Sequence, residues 1–188
     1  MQKDGTMRIQ APLGDDVVRQ LRAGDEVTVH GTVYVARDAA HKRLVQALGQ
    51  GQPLPFDPRG QIIYYMGPSP RRPGKAVGSA GPTTAGRMDE YTPALLQAGL
   101  KGMIGKGSRS KAVRDAIQKY SAVYLVVTGG VAALIAQAVR ASEVVAYEDL
   151  GAEALLRLEV EDMPAIVAND VYGGDVYEQG RAMYRKEG

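Results

Sequence analysis

Residues 78–89 read GSAGPTTAGRMD: a Gly-Pro turn, two adjacent threonines, and an arginine three residues after the second. A helical pattern starts there and runs on through Tyr91, Leu95 and Leu96. The spacing predicts that the hydroxyls of Thr83 and Thr84 sit near a helix N-terminus, where unpaired backbone N–H groups favour anions. Arg87 would follow one turn on, beside both threonines. Hydroxyl, cationic fork and amide cradle together suit a small carboxylate or phosphate.

Two more cations stand where a strand is predicted to give way to a helix. Arg37 lies in VARDAAHKRL and Lys106 in GMIGKGSRS. Open α/β sheets bind ligands at such strand ends. Three separate cations with backbone cradles could hold both carboxylates of a small diacid, Arg through two parallel hydrogen bonds and Lys as a point charge. Each residue also has a plainer reading. Arg37 could pair with Asp38 or another nearby acid. Thr83 and Thr84 could serve only as helix caps. Lys106 could be solvated. His41, at helical spacing from Arg37, could be a partly buried surface residue.

The elements that must position these residues follow from periodicity. A short strand is predicted at 7–11, and Asp15-Asp16 could cap a brief helix over 17–21. Residues 27–36 (VTVHGTVYVA) alternate and are rich in β-branched types, which predicts a strand. ARDAAHKRLVQALGQG then reads as a helix stopped by Gly49. A Pro/Gly loop covers 50–60, a strand 62–66, and a basic, Pro-rich loop 67–75 with Arg71, Arg72 and Lys75 suits a surface flap or a partner contact. Beyond Gly102 the pattern predicts a strand at 103–104, a helix at 108–119, a strand at 122–127, a helix at 131–140, and strands at 144–147, 155–160 and 165–167. The sum is an α/β fold with a β-rich front end.

Composition removes several classes of chemistry. The chain has 188 residues, no cysteine and a formal net charge of +2. It can form no disulfide and supply no thiolate to zinc or an iron–sulfur cluster, and its charge fits neither a nucleic-acid coat nor an acidic tail. The absence of cysteine fits a cytoplasmic location, and MQKDGTMRIQAPL has no apolar core of the signal-peptide kind. Residues 122–139 are uncharged and just long enough to suggest a membrane span, but the paired Gly129-Gly130 and the β-branched first half predict a buried strand, a turn and a short helix instead. Gly74-Lys75 and Gly105-Lys106 have Ser69 and Leu100 where a phosphate-binding loop needs its first glycine. No dinucleotide fingerprint, no nucleophile elbow and no histidine pair at zinc spacing occurs.

The segments GTVYVARDAAHKRL (31–44), YYMGPSP (64–70), GSAGPTTAGRMDEYTPALLQAGLKGMIGKG (78–107), TGGVAAL (128–134) and MPAIVANDVYGGDVYE (163–178) together resemble the β subunit, or C-terminal domain, of class I iron–sulfur hydro-lyases. That family includes class I fumarate hydratase and L-tartrate dehydratase. The resemblance implies one swivelling β/β/α domain over residues 1–188. It implies a cysteine-rich α subunit that holds a [4Fe–4S] cluster, whose open iron position supplies Lewis acidity, in an α2β2 assembly. Carried over by motif, Arg37, Thr84, Arg87 and Lys106 would bind the substrate's carboxylates, and Thr83 would be the candidate proton acceptor. His41 belongs to the motif without a role. The expected reaction is the reversible hydration of fumarate to (S)-malate in the cytoplasm. Tartrate dehydration and a non-catalytic small-anion binding module are the alternatives; neither a membrane nor a nucleic acid is an expected partner.

Overall fold

The computed structural model describes residues 5–67, 73–127 and 132–185. The basic positions Arg71 and Arg72 and the Gly129-Gly130 turn lie outside the described residues. Among the described residues, seven strands and six α-helices follow in the order β1 (Met7–Gln10), α1 (Asp15–Gln20), β2 (Glu26–Val35), α2 (Asp38–Gly49), β3 (Ile62–Tyr64), α3 (Thr92–Gln97), β4 (Gly102–Gly105), α4 (Lys111–Lys119), β5 (Val123–Val126), α5 (Ala132–Ala138), β6 (Val139–Ala146), β7 (Leu155–Asn169) and α6 (Val176–Tyr184). This is the α/β class that the periodicity predicts. Among the described residues no helix is long and apolar enough to cross a membrane.

β1 to β5 lie side by side and parallel, while β7 runs antiparallel to both β5 and β2. The β2–β7 pairing closes β2, β3, β4, β5 and β7 into a ring, with β1 and β6 attached outside it. Parallel neighbours need crossover connections, and α2, α3 and α4 supply them. Strand alternation then sorts the core. Ile63, Tyr65, Met103 and Tyr124 meet Leu44 of α2, Leu95 and Leu96 of α3, and Val113 and Ile117 of α4. The alternate positions Val33, Val35, Ile62, Tyr64, Ile104, Leu125 and Leu158 form a second cluster with Val18 and Leu21 beside α1.

The structure corrects several expected boundaries. The strands expected at 155–160 and 165–167 are one fifteen-residue strand, β7. The apparent break, Glu161–Asp162–Met163–Pro164, is a kink inside it: Asp162 adopts φ 54°, and the register against β2 shifts between Val29 and Gly31. His30 secures this kink by accepting the Asp162 N–H at Nδ1, 3.4 Å away. The helix expected at 131–140 stops at Ala138, and β6 starts at once.

The helical run expected from Thr84 onward is also broken. Ala85–Met88 is a four-residue 3-10 turn, and α3 begins only at Thr92, with Pro93 in its first turn. A continuous helix would have placed Pro93 in its interior, where proline clashes and lacks a donor. α6 escaped the periodicity reading. Its signal was the Asp175-to-Glu178 spacing: the Asp175 carboxylate accepts the N–H groups of Tyr177 and Glu178 at 2.8 and 3.3 Å.

Candidate active site

The carboxyl ends of β2, β3 and β4 carry the predicted residues. Arg37 follows β2 as the N-cap residue of α2. Lys106 follows β4 and is exposed. Between these ends the chain returns as an extended strip. Pro82 bridges Met66, the Thr83 N–H donates to the Tyr65 carbonyl at 2.7 Å, and the Ala85 N–H donates to the Lys106 carbonyl at 2.9 Å. Thr84 lies in parallel register with Lys106.

The two threonines are therefore held in strand-like backbone, not on a helix N-terminus. The Thr83 Oγ1 donates to the Tyr65 carbonyl at 3.1 Å. Thr84 precedes the 3-10 turn, but its exposed side chain makes no capping bond. The capping alternative thus holds for neither residue. Glycines permit the close approach of the strip. A methyl group at Gly105 would stand 2.8 Å from Tyr65 Cδ2 and 3.2 Å from Ala85 Cβ. A methyl at Gly67 would stand 3.2 Å from Arg37 Nη1 and 3.7 Å from Thr83 Cγ2, so both side chains pack toward Gly67.

Arg37 does not pair with Asp38. Its Nε–H is enclosed and has no acceptor among the described residues. Asp38 instead accepts two hydrogen bonds from Arg87, Nε to Oδ1 at 3.2 Å and Nη2 to Oδ2 at 2.8 Å. Arg87 therefore sits against the start of α2, at the same end of the sheet as Arg37 and Lys106.

His41 is fully buried, not a surface residue. Its Nδ1 lies 2.8 Å from the Arg37 carbonyl, so Nδ1 carries the proton. The rings of Tyr65 and Tyr91 stand 5.4 and 6.0 Å away, and Nε2 is enclosed without a partner among the described residues. Burial lowers its pKa from the ordinary 6.5 to about 4, against a smaller upward pull from the Arg37 carbonyl. The imidazole is thus neutral at pH 7, and it braces the backbone that carries Arg37. The unfolded chain takes up this proton near pH 6.5 and the folded chain only near pH 4. The stability tied to the neutral imidazole is full above the first value and is lost as pH falls to the second, by about 3 kcal/mol. His41→Gln is expected to remove that slope. Urea unfolding at about pH 7.5 and about pH 4.5 tests this, and an unchanged slope in the variant would show that His41 does not carry it.

Residues that periodicity does not single out brace the site from beneath. The Arg109 side chain is fully buried. It donates to Asp89 at 2.7 Å, to Thr92 Oγ1 at 2.8 Å and to Tyr65 Oη at 3.2 Å, and its guanidinium lies over the Tyr65 and Tyr124 rings at 5.2 and 4.8 Å. Asp89 also accepts the Ser110 N–H at 2.7 Å. One cation thereby ties the end of GPTTAGRMD to β3, β5 and the loop after β4. That loop is gripped at Gly107 as well. Tyr124 Oη donates to its carbonyl at 2.8 Å, and its N–H donates to Tyr177 Oη of α6 at 3.1 Å. Burial pushes the Tyr124 phenol up, so it remains a donor. No short motif signals Arg109, because its oxygen partners lie 17 to 44 positions away in sequence.

Strand-end cations, a hydroxyl strip and a glycine-lined approach gather at one end of the sheet of an α/β domain. The comparisons name the family. A model described as Fumarase C-terminus matches residues 2–180, and the chain belongs to that family. "Fumarate hydratase class I, aerobic" of Escherichia coli K12 is 42% identical over 162 residues, covering 85% of this chain and 30% of that protein. "Fumarate hydratase 1, mitochondrial" of Leishmania major is 44% identical over 156 residues, covering 81% and 28%. "Putative L(+)-tartrate dehydratase subunit beta" of Methanocaldococcus jannaschii is 36% identical over 176 residues and is covered, like this chain, to 90%. The chain thus spans less than a third of the two fumarate hydratases but nearly the whole of the subunit beta.

Proposed function

We propose that this chain is the β subunit of a two-subunit iron–sulfur fumarate hydratase, a cytoplasmic α2β2 enzyme for the reversible hydration of fumarate to (S)-malate. Residues 1–188 act in it as one domain. The 41–44% identity to fumarate hydratases of bacteria and Leishmania supports the substrate. The end-to-end match with a subunit beta supports the division into two chains. That second match also favours tartrate dehydration as the rival activity. A bare anion-binding module would bind a dicarboxylate without any partner.

The residues of this chain do not fit an iron–sulfur cluster. The sequence has no cysteine, and the described residues contain no grouping of His, Asp or Glu suited to a metal ion. In the proposed complex the cluster belongs to the cysteine-rich α subunit. This chain's share of the work is binding, orientation and proton transfer.

The enclosed, unpaired Nε–H of Arg37 carries the reading. A buried guanidinium N–H without an acceptor is costly, and a substrate carboxylate would complete it. Arg87 and Lys106 supply further positive charge for the diacid, and Thr84 offers an exposed hydroxyl. Together they fix the substrate's rotation and stabilise the charge that develops as the C–H proton of malate leaves. Thr83, whose side chain packs toward Gly67 as Arg37 does, is the candidate proton acceptor. To take the proton, its oxygen would first give up its own to a base outside this chain, a carboxylate of the partner subunit or solvent, and the cations of the site favour that alkoxide.

The direct test is anaerobic reconstitution of this chain with its cysteine-rich partner, assayed for fumarate hydration and for tartrate dehydration. Fumarate activity that requires both chains is the expected result. Tartrate activity alone would reassign the substrate. Activity on neither, with the cluster loaded, would sink both readings.

A further inference from the structure

We propose that Asp38 is the positioning residue for Arg87, holding one edge of the guanidinium so that the opposite edge meets a substrate carboxylate. The inference rests on the reading of Arg87 as a substrate-facing cation.

Arg87 is on the 3-10 turn and Asp38 in the first turn of α2, 49 positions apart in sequence. The contact is fork to fork: Nε meets Oδ1 and Nη2 meets Oδ2. A guanidinium has five N–H donors in one plane. This contact uses the Nε–H and one Nη2–H. The remaining Nη2–H and one Nη1–H leave along a second edge, which can grip another carboxylate. Asp38 thus commits one edge and points the other.

The arginine needs such a guide. Its side chain is 54% exposed, and a solvent-facing arginine must give up several rotors when it binds. Restraining them in advance removes that loss from the binding step. Both partners are anchored independently. The backbone of the 3-10 turn is stitched to Lys106 through Ala85 and tied to Arg109 through Asp89. Asp38 follows Arg37, whose carbonyl receives His41. An exposed ion pair contributes little to stability, so its consequence here is orientation. Arg43 and Asp149 offer an internal comparison: they make a similar two-pronged contact further along α2, away from the strand ends.

A double-mutant cycle in the reconstituted complex tests the proposal, with fumarate turnover and the binding of succinate, an unreactive dicarboxylate, as separate readouts. Arg87→Ala is expected to lower kcat/KM about a hundredfold. Asp38→Asn should lower it about tenfold, mainly through KM, and weaken succinate binding to a similar degree. The double variant should be no worse than Arg87→Ala in either readout, because Asp38 acts through Arg87. Asp149→Asn should leave both readouts unchanged. Additive effects of Asp38→Asn and Arg87→Ala would overturn the proposal while leaving Arg87 substrate-facing. A loss below tenfold for Arg87→Ala would overturn the reading beneath it.

Discussion

Thr83→Val is expected to lower kcat of the reconstituted enzyme by roughly a thousandfold while KM changes little, within the range for loss of a proton-transfer group. Valine keeps the shape of threonine and removes only the hydroxyl. The Thr83 N–H to the Tyr65 carbonyl and the Lys106 N–H to the Thr83 carbonyl are backbone bonds, so the strip stays in place. The lost side-chain bond to the Tyr65 carbonyl lowers stability by only about 1 kcal/mol. Thr83→Ser, which restores an oxygen, should recover much of the rate. Thr84→Val is the contrast: that hydroxyl makes no capping bond and is exposed, so its removal should act on KM. If Thr83→Val keeps more than a tenth of wild-type kcat, the proton acceptor is elsewhere, and a carboxylate of the partner subunit becomes the candidate.

Arg109→Met should be the most destabilising of the substitutions considered, by about 3–5 kcal/mol, because it removes one partner of a buried ion pair. Asp89, whose side chain is only 15% exposed, would keep the Ser110 N–H but lose its cation. Tyr65 Oη would also lose a donor. For a chain of this size the expected fall in melting temperature is on the order of 10 °C. Arg109→Met combined with Asp89→Leu should recover part of it, since removing both members leaves no orphaned charge. Thermal unfolding of the single and double variants decides the matter. A single-variant shift within about 2 °C would mean that Arg109 does not brace the site.

The alternation in β2, the apolar stripe of α2 and the β5–α5 succession are all legible in the chain, because a strand or helix writes its period into neighbouring residues. The start of α4 is legible too: Ser110 accepts the Val113 N–H at 3.4 Å. Arg37 and Lys106 are marked by strand-to-helix junctions and Arg87 by its spacing from the threonine pair, and the structure puts all three at one end of the sheet.

Other features depend on residues far apart. The continuity of β7 is invisible locally, since Asp162 and Pro164 read as a break until β2 pairs along both sides of the kink. The spacing of Tyr91, Leu95 and Leu96 puts the two threonines near a helix N-terminus in the sequence reading. Pairing of Thr83 with Tyr65, and of Thr84 with Lys106, overrode that local preference. The partner of Asp38 follows the same rule, with Arg87 reaching it from another element while the adjacent Arg37 turns toward Gly67.

By itself, then, the sequence determined the α/β class, the absence of thiolate ligands and the cations that surround the candidate site. Only the tertiary structure decided which carboxylate holds Arg87, that His41 is neutral and buried, and that Arg109 underlies the GPTTAGRMD turn. The division has a physical cause. Periodicity and helix caps are satisfied within a few residues, whereas ion-pair choice, desolvation and strand-like pairing depend on groups that become neighbours only when β7 closes the ring against β2.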